Sequence, residues 1–117
     1  MPAIYRDIII EQGGTLDETF LLKVNGAVFD LTGYTSIMII KDHLGAIIHT
    51  ADTTNGQIII VGPAGSARRK ISAEVTKTIS KTAVSYDWEL TPPSGAADTW
   101  KLYRGRCHVI EEGSRGL

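Results

Sequence analysis

The chain has 117 residues, a formal net charge of -1 and an apolar content of 43%. This length and composition suit one globular domain, residues 1–117, with a single core. The near-neutral charge gives no general attraction toward nucleic acid, and no apolar run approaches the ~20 residues of a membrane span. The N-terminus also lacks the basic region and apolar run of a signal peptide. We therefore expect neither nucleic acid nor a membrane as a partner.

Apolar and polar side chains alternate with period two over residues 15–24, a pattern typical of half-buried β-strands. The run over residues 35–41 is apolar on both faces, which predicts a central strand or one covered on its outer side. Asn25-Gly26 and Asn55-Gly56 are hairpin signals, because both central residues of a type I′ turn need positive φ. Gly33 is expected to supply an unusual backbone angle at a corner. Strands are predicted over residues 5–11, 15–24, 27–29, 35–41, 46–51, 57–61 and 66–71.

The strand at residues 66–71 carries the basic run Arg68-Arg69-Lys70. Charged side chains on an edge strand discourage pairing with other sheets, so we predict an exposed edge strand here. A contact patch for an acidic partner is the alternative interpretation of the same three residues.

A short helix is predicted over residues 72–79. Ile71, Val75 and Ile79 recur at a spacing of four, and Ser72 stands where an N-cap is expected. The threonines and the valine of this segment form helices weakly, so tertiary contacts must hold it. We expect it to cross between two sheets.

Both tryptophans lie in one predicted hairpin. Tyr86 and Trp88 share the inward phase of a strand that Pro92-Pro93 ends, and Trp100 shares a phase with Leu102 in the strand over residues 98–103. Aromatic side chains bury the largest area per residue, so this hairpin should anchor the core. The predicted core includes Phe20, Ile37 or Ile39, Tyr86, Trp88 and Trp100.

The last strand changes phase along its length. Trp100 and Leu102 are apolar at even positions, whereas Cys107 and Val109 are apolar at odd ones. A one-residue slip exchanges the two faces of a strand, so a β-bulge is expected between the two pairs. Gly105 is its predicted site.

Residue types that carry catalysis or bind metals do not form a recognisable pattern. His43, His49 and His108 lie in different predicted elements without the spacing of metal ligands. The single Cys107 can form neither an internal disulfide nor a cysteine-based metal site. No nucleophile, base and oxyanion donor occur at plausible spacing. We therefore predict no enzyme activity, no catalytic residue, no metal site and no cofactor.

Several short motifs occur in a characteristic order and end with Gly105 before the final strand. They are Asp7-Ile8-Ile9-Ile10-Glu11-Gln12-Gly13 followed by Phe20, Asp30-Leu31-Thr32-Gly33-Tyr34-Thr35, Ser72-Ala73-Glu74 and Tyr86-Asp87-Trp88-Glu89-Leu90. In this order the chain resembles small structural proteins of tailed bacteriophages and prophages. It is similar to the immunoglobulin-like modules of phage tails and baseplates, including the N-terminal domain of baseplate upper proteins. The resemblance covers nearly the whole chain.

The resemblance implies an all-β fold, an immunoglobulin-like antiparallel β-sandwich with one short crossover helix. It implies a non-enzymatic structural component of a virion, assembled in the bacterial host cytoplasm as a tail, baseplate or neck assembly or adaptor subunit. A capsid-surface decoration protein is an alternative. Other virion structural proteins are the expected partners, with the chain forming a homo-oligomer in a symmetric assembly. Such modules often continue into a fibre, and since this chain ends seven residues after Ile110, a free-standing module is expected.

Contacts with these partners are expected at the two chain ends and at the basic run. A sheet edge can pair with a strand from another subunit, and the end segments have little of their own chain to pack against. The predicted interface residues are Tyr5, Arg6, Arg68, Arg69, Lys70, Glu111, Glu112 and Arg115.

A carbohydrate-binding or receptor-binding β-sandwich is the competing class. Exposed aromatic rings would then stack on sugar rings, and Tyr34, Trp100 and Tyr103 are the candidates. Trp100 is in phase with Leu102 and is better explained as core. Exposure of Trp100 and Tyr103 side by side would favour binding.

Overall fold

The computed structural model describes residues 4–111, and this part of the chain is predominantly β-structure with one short helix. The strands are β1 Ile4–Tyr5, β2 Ile8–Glu11, β3 Leu16–Leu21, β4 Lys23–Val24, β5 Ala27–Val28, β6 Thr35–Asp42, β7 Ile47–Asp52, β8 Ile58–Val61, β9 Ser66–Ile71, β10 Ala83–Thr91 and β11 Trp100–Ile110. The helix is α1 Ala73–Thr76, and a turn of 3-10 helix spans Ala96–Asp98. No helix of residues 4–111 is long and apolar enough to cross a membrane.

Two larger sheets and one small hairpin contain these strands. The six-stranded sheet has the order β1-β11-β10-β6-β7, and β2 also pairs with β11. β1 and β2 run parallel to β11, while the other neighbours in this sheet are antiparallel. The second sheet is antiparallel with the order β3-β9-β8, and β4 pairs with β5 as the hairpin.

The two turn residues of the β4–β5 hairpin have positive φ, as predicted. Asn25 has φ 51° and Gly26 has φ 79°, the two angles that a type I′ turn requires. Lys23 and Val24 lie opposite Val28 and Ala27 across this turn. The second predicted hairpin, at Asn55-Gly56, does not form: Gly56 has φ 79°, but β7 and β8 lie in different sheets and do not pair.

Helix α1 connects β9 of one sheet to β10 of the other, but it is only one turn long. The Ser72 hydroxyl accepts a hydrogen bond from the Val75 N–H at 3.3 Å, which confirms the predicted N-cap. Thr76 is fully buried; its hydroxyl donates to the Gly14 carbonyl at 2.8 Å and accepts the Gly13 N–H at 3.1 Å. Tertiary hydrogen bonds thus hold a sequence with weak helix propensity.

One hydrophobic core receives side chains from both larger sheets. Tyr86 and Trp88 are buried, as predicted. Trp88 meets the ring of Phe20 from the opposite sheet edge-on, with 5.4 Å between centroids. Its indole N–H donates to the Ser36 hydroxyl at 2.7 Å, so the largest buried side chain leaves no polar atom unsatisfied.

The predicted inward phase of β6 is wrong. Met38 and Ile40 are fully buried, whereas Ile37 and Ile39 are only partly buried. The run is apolar on both faces, and such a pattern does not say which face meets the core. The register with β10 decides it, because Met38 lies opposite Trp88 and Ile40 opposite Tyr86. Phe20 and Trp100 pack against the core but remain partly exposed.

The phase change in the last strand is real, but its position differs from the prediction. Trp88 lies opposite Tyr103 while Glu89 lies opposite Lys101, so Leu102 is the extra residue. The bulge is thus at Leu102 and not at Gly105. Gly105 is needed for close approach instead, because a Cβ there would lie 2.5 Å from the Arg6 carbonyl oxygen.

The prediction that β9 is an exposed edge strand is also wrong. β9 is the middle strand of its sheet and lies between β3 and β8. A basic run favours an edge only when its cations face solvent. In β9, carboxylates on the neighbouring strand β3 pair with Arg68 and Arg69, and the run can therefore lie inside the sheet.

Candidate protein-interaction surface

The predicted interface residue Arg69 is buried and is not available to a partner. Its side chain is 1% exposed, and both Nε and a terminal nitrogen donate to Oε1 of Glu18, at 3.0 and 2.7 Å. Its guanidinium carbon lies 5.0 Å from the centre of the Phe20 ring and 5.2 Å from that of Trp88. Such contacts stabilise a desolvated cation. Arg69 therefore joins the two sheets.

Arg68 and Lys70 lie on the outer face of the three-stranded sheet. Arg68 binds both oxygens of Asp17 on β3, at 2.7 and 2.6 Å, and this bidentate contact holds the pKa of the Asp17 carboxyl below its usual range. Lys70 is exposed and lies opposite Asp17 in the register. The basic run thus supplies one buried and two surface cations.

Tyr5 and Arg6 lie where the N-terminal segment follows the free side of β11. Tyr5 is 78% exposed. The Arg6 N–H donates to the Arg104 carbonyl at 2.8 Å, and the strand pairing is interrupted at Arg6 and Asp7 before β2 begins. The single strand predicted over residues 5–11 is therefore two short strands.

Further contacts hold Arg6 in place. Its carbonyl accepts a hydrogen bond from the hydroxyl of Tyr86, and burial raises the pKa of that hydroxyl. Its backbone lies directly over Gly105. Its guanidinium carbon lies 5.0 Å from the centre of the Phe20 ring, and Arg6 forms no ion pair with any residue from 4 to 111. Arg6 is thus an exposed, positioned cation.

Asp7 ties the start of β2 to the last strand. Its carboxylate accepts the Arg106 N–H at 3.2 Å and lies 3.2 Å from Nε2 of His108. The Arg106 N–H and the His108 side chain hold the pKa of Asp7 below its usual range. His108 therefore has a structural contact in this fold.

A cleft of about 540 Å³ separates β2 from β3. Arg6 lies at one end and the turn at Gly14 and Thr15 at the other, and Ile9 and Glu18 also line it. Glu18 uses only Oε1 to bind Arg69, and its side chain is 38% exposed. We call this opening, with its lining residues, the edge cleft. It presents apolar surface together with both signs of charge.

The remaining predicted interface residues are at the C-terminal end. Glu111 is exposed and forms an ion pair with Lys81 at 3.1 Å. Glu112 and Arg115 lie outside the described residues. The structure therefore distributes the predicted interface residues it describes over three places: the N-terminal edge, the outer face of the three-stranded sheet and the end of β11.

The aromatic candidates for sugar binding pack against other rings. Trp100 lies 4.8 Å from Phe29 and 6.1 Å from Tyr34 between ring centroids. Tyr103 packs against Phe20 at 5.1 Å. All three candidates are half-buried. Each ring packs against at least one neighbouring ring, and this arrangement does not favour stacking on a sugar.

Two other titratable side chains, those of His49 and Cys107, have surroundings that suit a structural role. Nε2 of His49 lies 2.6 Å from the Gln57 side-chain oxygen. Burial raises the pKa of the Cys107 thiol to about 11. Within residues 4–111, no group of three or more His, Cys, Asp or Glu side chains is placed to hold a metal ion.

Sequence reasoning missed Glu18 and Leu21 as surface features. Glu18 lies in the same phase as Leu16 and Phe20, and a carboxylate in an apolar phase signals a buried cation nearby. Leu21 is 65% exposed although it is a large apolar residue. Only the arrangement of the sheets shows that both lie on an open edge.

Comparison with protein-family models and with curated proteins identifies no relative of this chain.

Proposed function

We propose that the chain is a non-enzymatic structural subunit of a tailed-phage particle, acting as an assembly or adaptor module of the tail, baseplate or neck. In this proposal its partners are other virion structural proteins arranged around a symmetry axis. It is assembled in the bacterial host cytoplasm and is located in the virion.

The strand order supports the immunoglobulin-like part of the proposal. In variable-type immunoglobulin sandwiches one sheet contains strands B, E and D, and the other adds C′ to G, F and C. The sheet β3-β9-β8 corresponds to the first, and β11-β10-β6-β7 to the second. The chain differs from antibody domains in having a single cysteine and in placing its buried Trp88 on β10, not on the strand that corresponds to C.

The exposed N-terminal edge is the observation that carries the assembly role. β1 and β2 form one outer edge of the six-stranded sheet, and Ile4, Tyr5 and Ile9 are 58%, 78% and 57% exposed there. Large apolar side chains beside unpaired backbone groups are typical of strands that another subunit covers. Many identical copies around an axis would make individually weak contacts collectively strong.

The proposal is tested by asking whether the chain belongs to particles. Quantitative mass spectrometry of purified virions should find it at a constant ratio to the tail proteins. Immunogold labelling should then place it on the tail, baseplate or neck. Labelling spread over the capsid surface would support the decoration alternative instead. A protein absent from particles that turns over a substrate would contradict the proposal.

Truncated and substituted versions test the role of the edge itself. A Tyr5→Ser, Ile9→Ser variant should fold but incorporate poorly, because both side chains are exposed. Leu44→Ser is the matched control, since Leu44 is an equally exposed aliphatic residue in the β6–β7 turn. A version lacking the residues after Ile110 reports on the C-terminal end. Equal incorporation of all versions would show that neither end provides the contacts.

A further inference from the structure

Strand β3 has an unpaired side that faces away from β9. The Leu22 N–H donates to the Gly65 carbonyl at 2.8 Å, so the even-numbered positions of β3 form the hydrogen-bonded pairs with β9. The backbone groups of Asp17, Thr19 and Leu21 therefore point the other way. Within residues 4–111 no strand pairs with β3 on that side.

An unpaired cation and a carboxylate with one free oxygen lie beside this open side, within residues 4–111. Arg6 is held over the Phe20 ring and has no carboxylate partner within residues 4–111. Glu18, two positions before Phe20 on the same face of β3, binds Arg69 through Oε1 alone. Its Oε2 makes no hydrogen bond within the described part of the chain. Arg6 and Glu18 line the same cleft, but they form no ion pair with each other.

We propose that a second copy of this chain pairs on β3, strand to strand and antiparallel, around a twofold axis at Thr19. Opposite residues then have numbers that add to 38: Thr19 faces Thr19, Asp17 faces Leu21, and Glu18 faces Phe20 of the other copy. The sheet β3-β9-β8 would continue through the axis into the same sheet of the second copy. The inference extends the proposed assembly role by naming one partner.

Charge disfavours the two neighbouring registers whose axes lie closer to the start of β3. An axis at Glu18 would place the two Glu18 carboxylates directly opposite each other, and an axis at Asp17 would do the same with the two Asp17 carboxylates. With the axis at Thr19, Glu18 of one copy lies opposite Phe20 of the other. The Arg6 guanidinium of that other copy lies over the same Phe20 ring. Each copy thus provides the carboxylate that the other's Arg6 lacks, and the twofold axis repeats the pair.

The side chains on the outer face of the paired β3 strands are also compatible with this register. Leu21 would lie opposite Asp17 of the second copy, whose carboxylate is already bound by two guanidinium nitrogens of Arg68. The backbone of each β3 would gain hydrogen bonds for groups that now face solvent.

Two variants that place charges of opposite sign at position 19 provide the sharpest test. Thr19 is exposed, so Thr19→Lys and Thr19→Glu should each fold but place like charges together across the axis. Analytical ultracentrifugation should find a wild-type dimer and a dissociation constant raised about tenfold or more in each variant. An equimolar mixture of the two variants should restore the dimer. Ile59→Lys, in the same row of the sheet on strand β8, is the matched control and should dimerise like the wild type.

Cysteine cross-linking tests the register. Thr19→Cys should form an intermolecular disulfide under mild oxidation, whereas Leu21→Cys should not, because position 21 faces position 17. Native Cys107 is 5% exposed and should not interfere. Arg6→Glu should raise the dissociation constant of the dimer, because it replaces the cation that Glu18 of the other copy would bind.

Three outcomes would overturn the inference: a wild-type protein that stays monomeric at every concentration, a Thr19→Lys variant that dimerises as strongly as the wild type, or faster cross-linking at position 21 than at position 19. All of these measurements use purified protein alone. A negative result for the dimer would therefore not decide whether the chain is incorporated into particles. Conversely, a chain that is not incorporated could still form the dimer.

Discussion

The guanidinium of Arg69 lies between the two sheets, with its carbon 5.2 Å from the centre of the Trp88 ring. Arg69 belongs to the three-stranded sheet and Trp88 to the six-stranded sheet. The Arg69 side chain therefore enters the core and packs against Trp88 of the other sheet, while its guanidinium binds the carboxylate of Glu18 on the neighbouring strand of its own sheet. A buried cation is tolerated here because its hydrogen bonds and ring contacts replace water.

The Glu18–Arg69 ion pair should matter more for stability than its surface neighbour. Glu18→Gln leaves the buried guanidinium without its counter-charge, and we expect the free energy of unfolding in urea to fall by roughly 1–3 kcal/mol. Asp17→Asn breaks the adjacent exposed pair with Arg68. It should change the free energy of unfolding little, because solvent screens that pair. Equal effects of the two variants would contradict the structural role of Arg69.

Substitution of the largest core residue should be severe. Trp88 is fully buried, and Trp88→Ala should lower the free energy of unfolding by roughly 3–5 kcal/mol. Ser36→Ala keeps the indole but removes the acceptor of its N–H at 2.7 Å, so we expect a smaller loss of roughly 1–3 kcal/mol. Chemical denaturation of both variants checks this order, and a larger loss for Ser36→Ala would refute it.

Gly105 should be required for the docking of the N-terminal segment. A methyl group at this position would lie 2.5 Å from the Arg6 carbonyl oxygen, so Gly105→Ala must displace Arg6 and weaken its bond with Tyr86. Hydrogen exchange of the β2 amides should become faster, and the variant should lose roughly 1–3 kcal/mol as for other overpacked sites.

Gly14→Ala provides the control for that experiment. The nearest atom to a Cβ at Gly14 is 3.4 Å away, with ordinary contact beyond it. Its β2 amides should exchange nearly as slowly as in the wild type. Unchanged exchange in Gly105→Ala would mean that the N-terminal segment tolerates the added methyl group.

Asp7 should stabilise the fold at neutral pH but not in acid. The Arg106 N–H and His108 lower its pKa from the ordinary value of 3.8, so its contribution is complete above that value and is lost as pH falls through the lower, folded-state pKa. Urea unfolding of wild type and Asp7→Asn from about pH 5 to about pH 2 should show the difference between them shrinking. Parallel curves would argue against this contribution.

The local sequence determined the strands that depend on alternation and turn chemistry. Asn25-Gly26 specifies its turn because few residues tolerate positive φ, and Ser72 caps α1 because its hydroxyl reaches an N–H three residues ahead. Tyr86 and Trp88 share a phase, and the core lies on that side of β10. These features depend on contacts within a few residues, which is why the sequence alone predicts them.

The tertiary structure alone decided which strands became neighbours. Periodicity tells which residues share a face, but not which strand lies beside them. Arg69 is buried because Glu18, 51 residues away in the chain, lies on the adjacent strand. Without that partner, a basic run is typical of an edge strand. The parallel pairing of β1 and β2 with β11 likewise joins the two ends of the fold. The open side of β3, with Arg6 and Glu18 beside it, exists only because these distant strands come together.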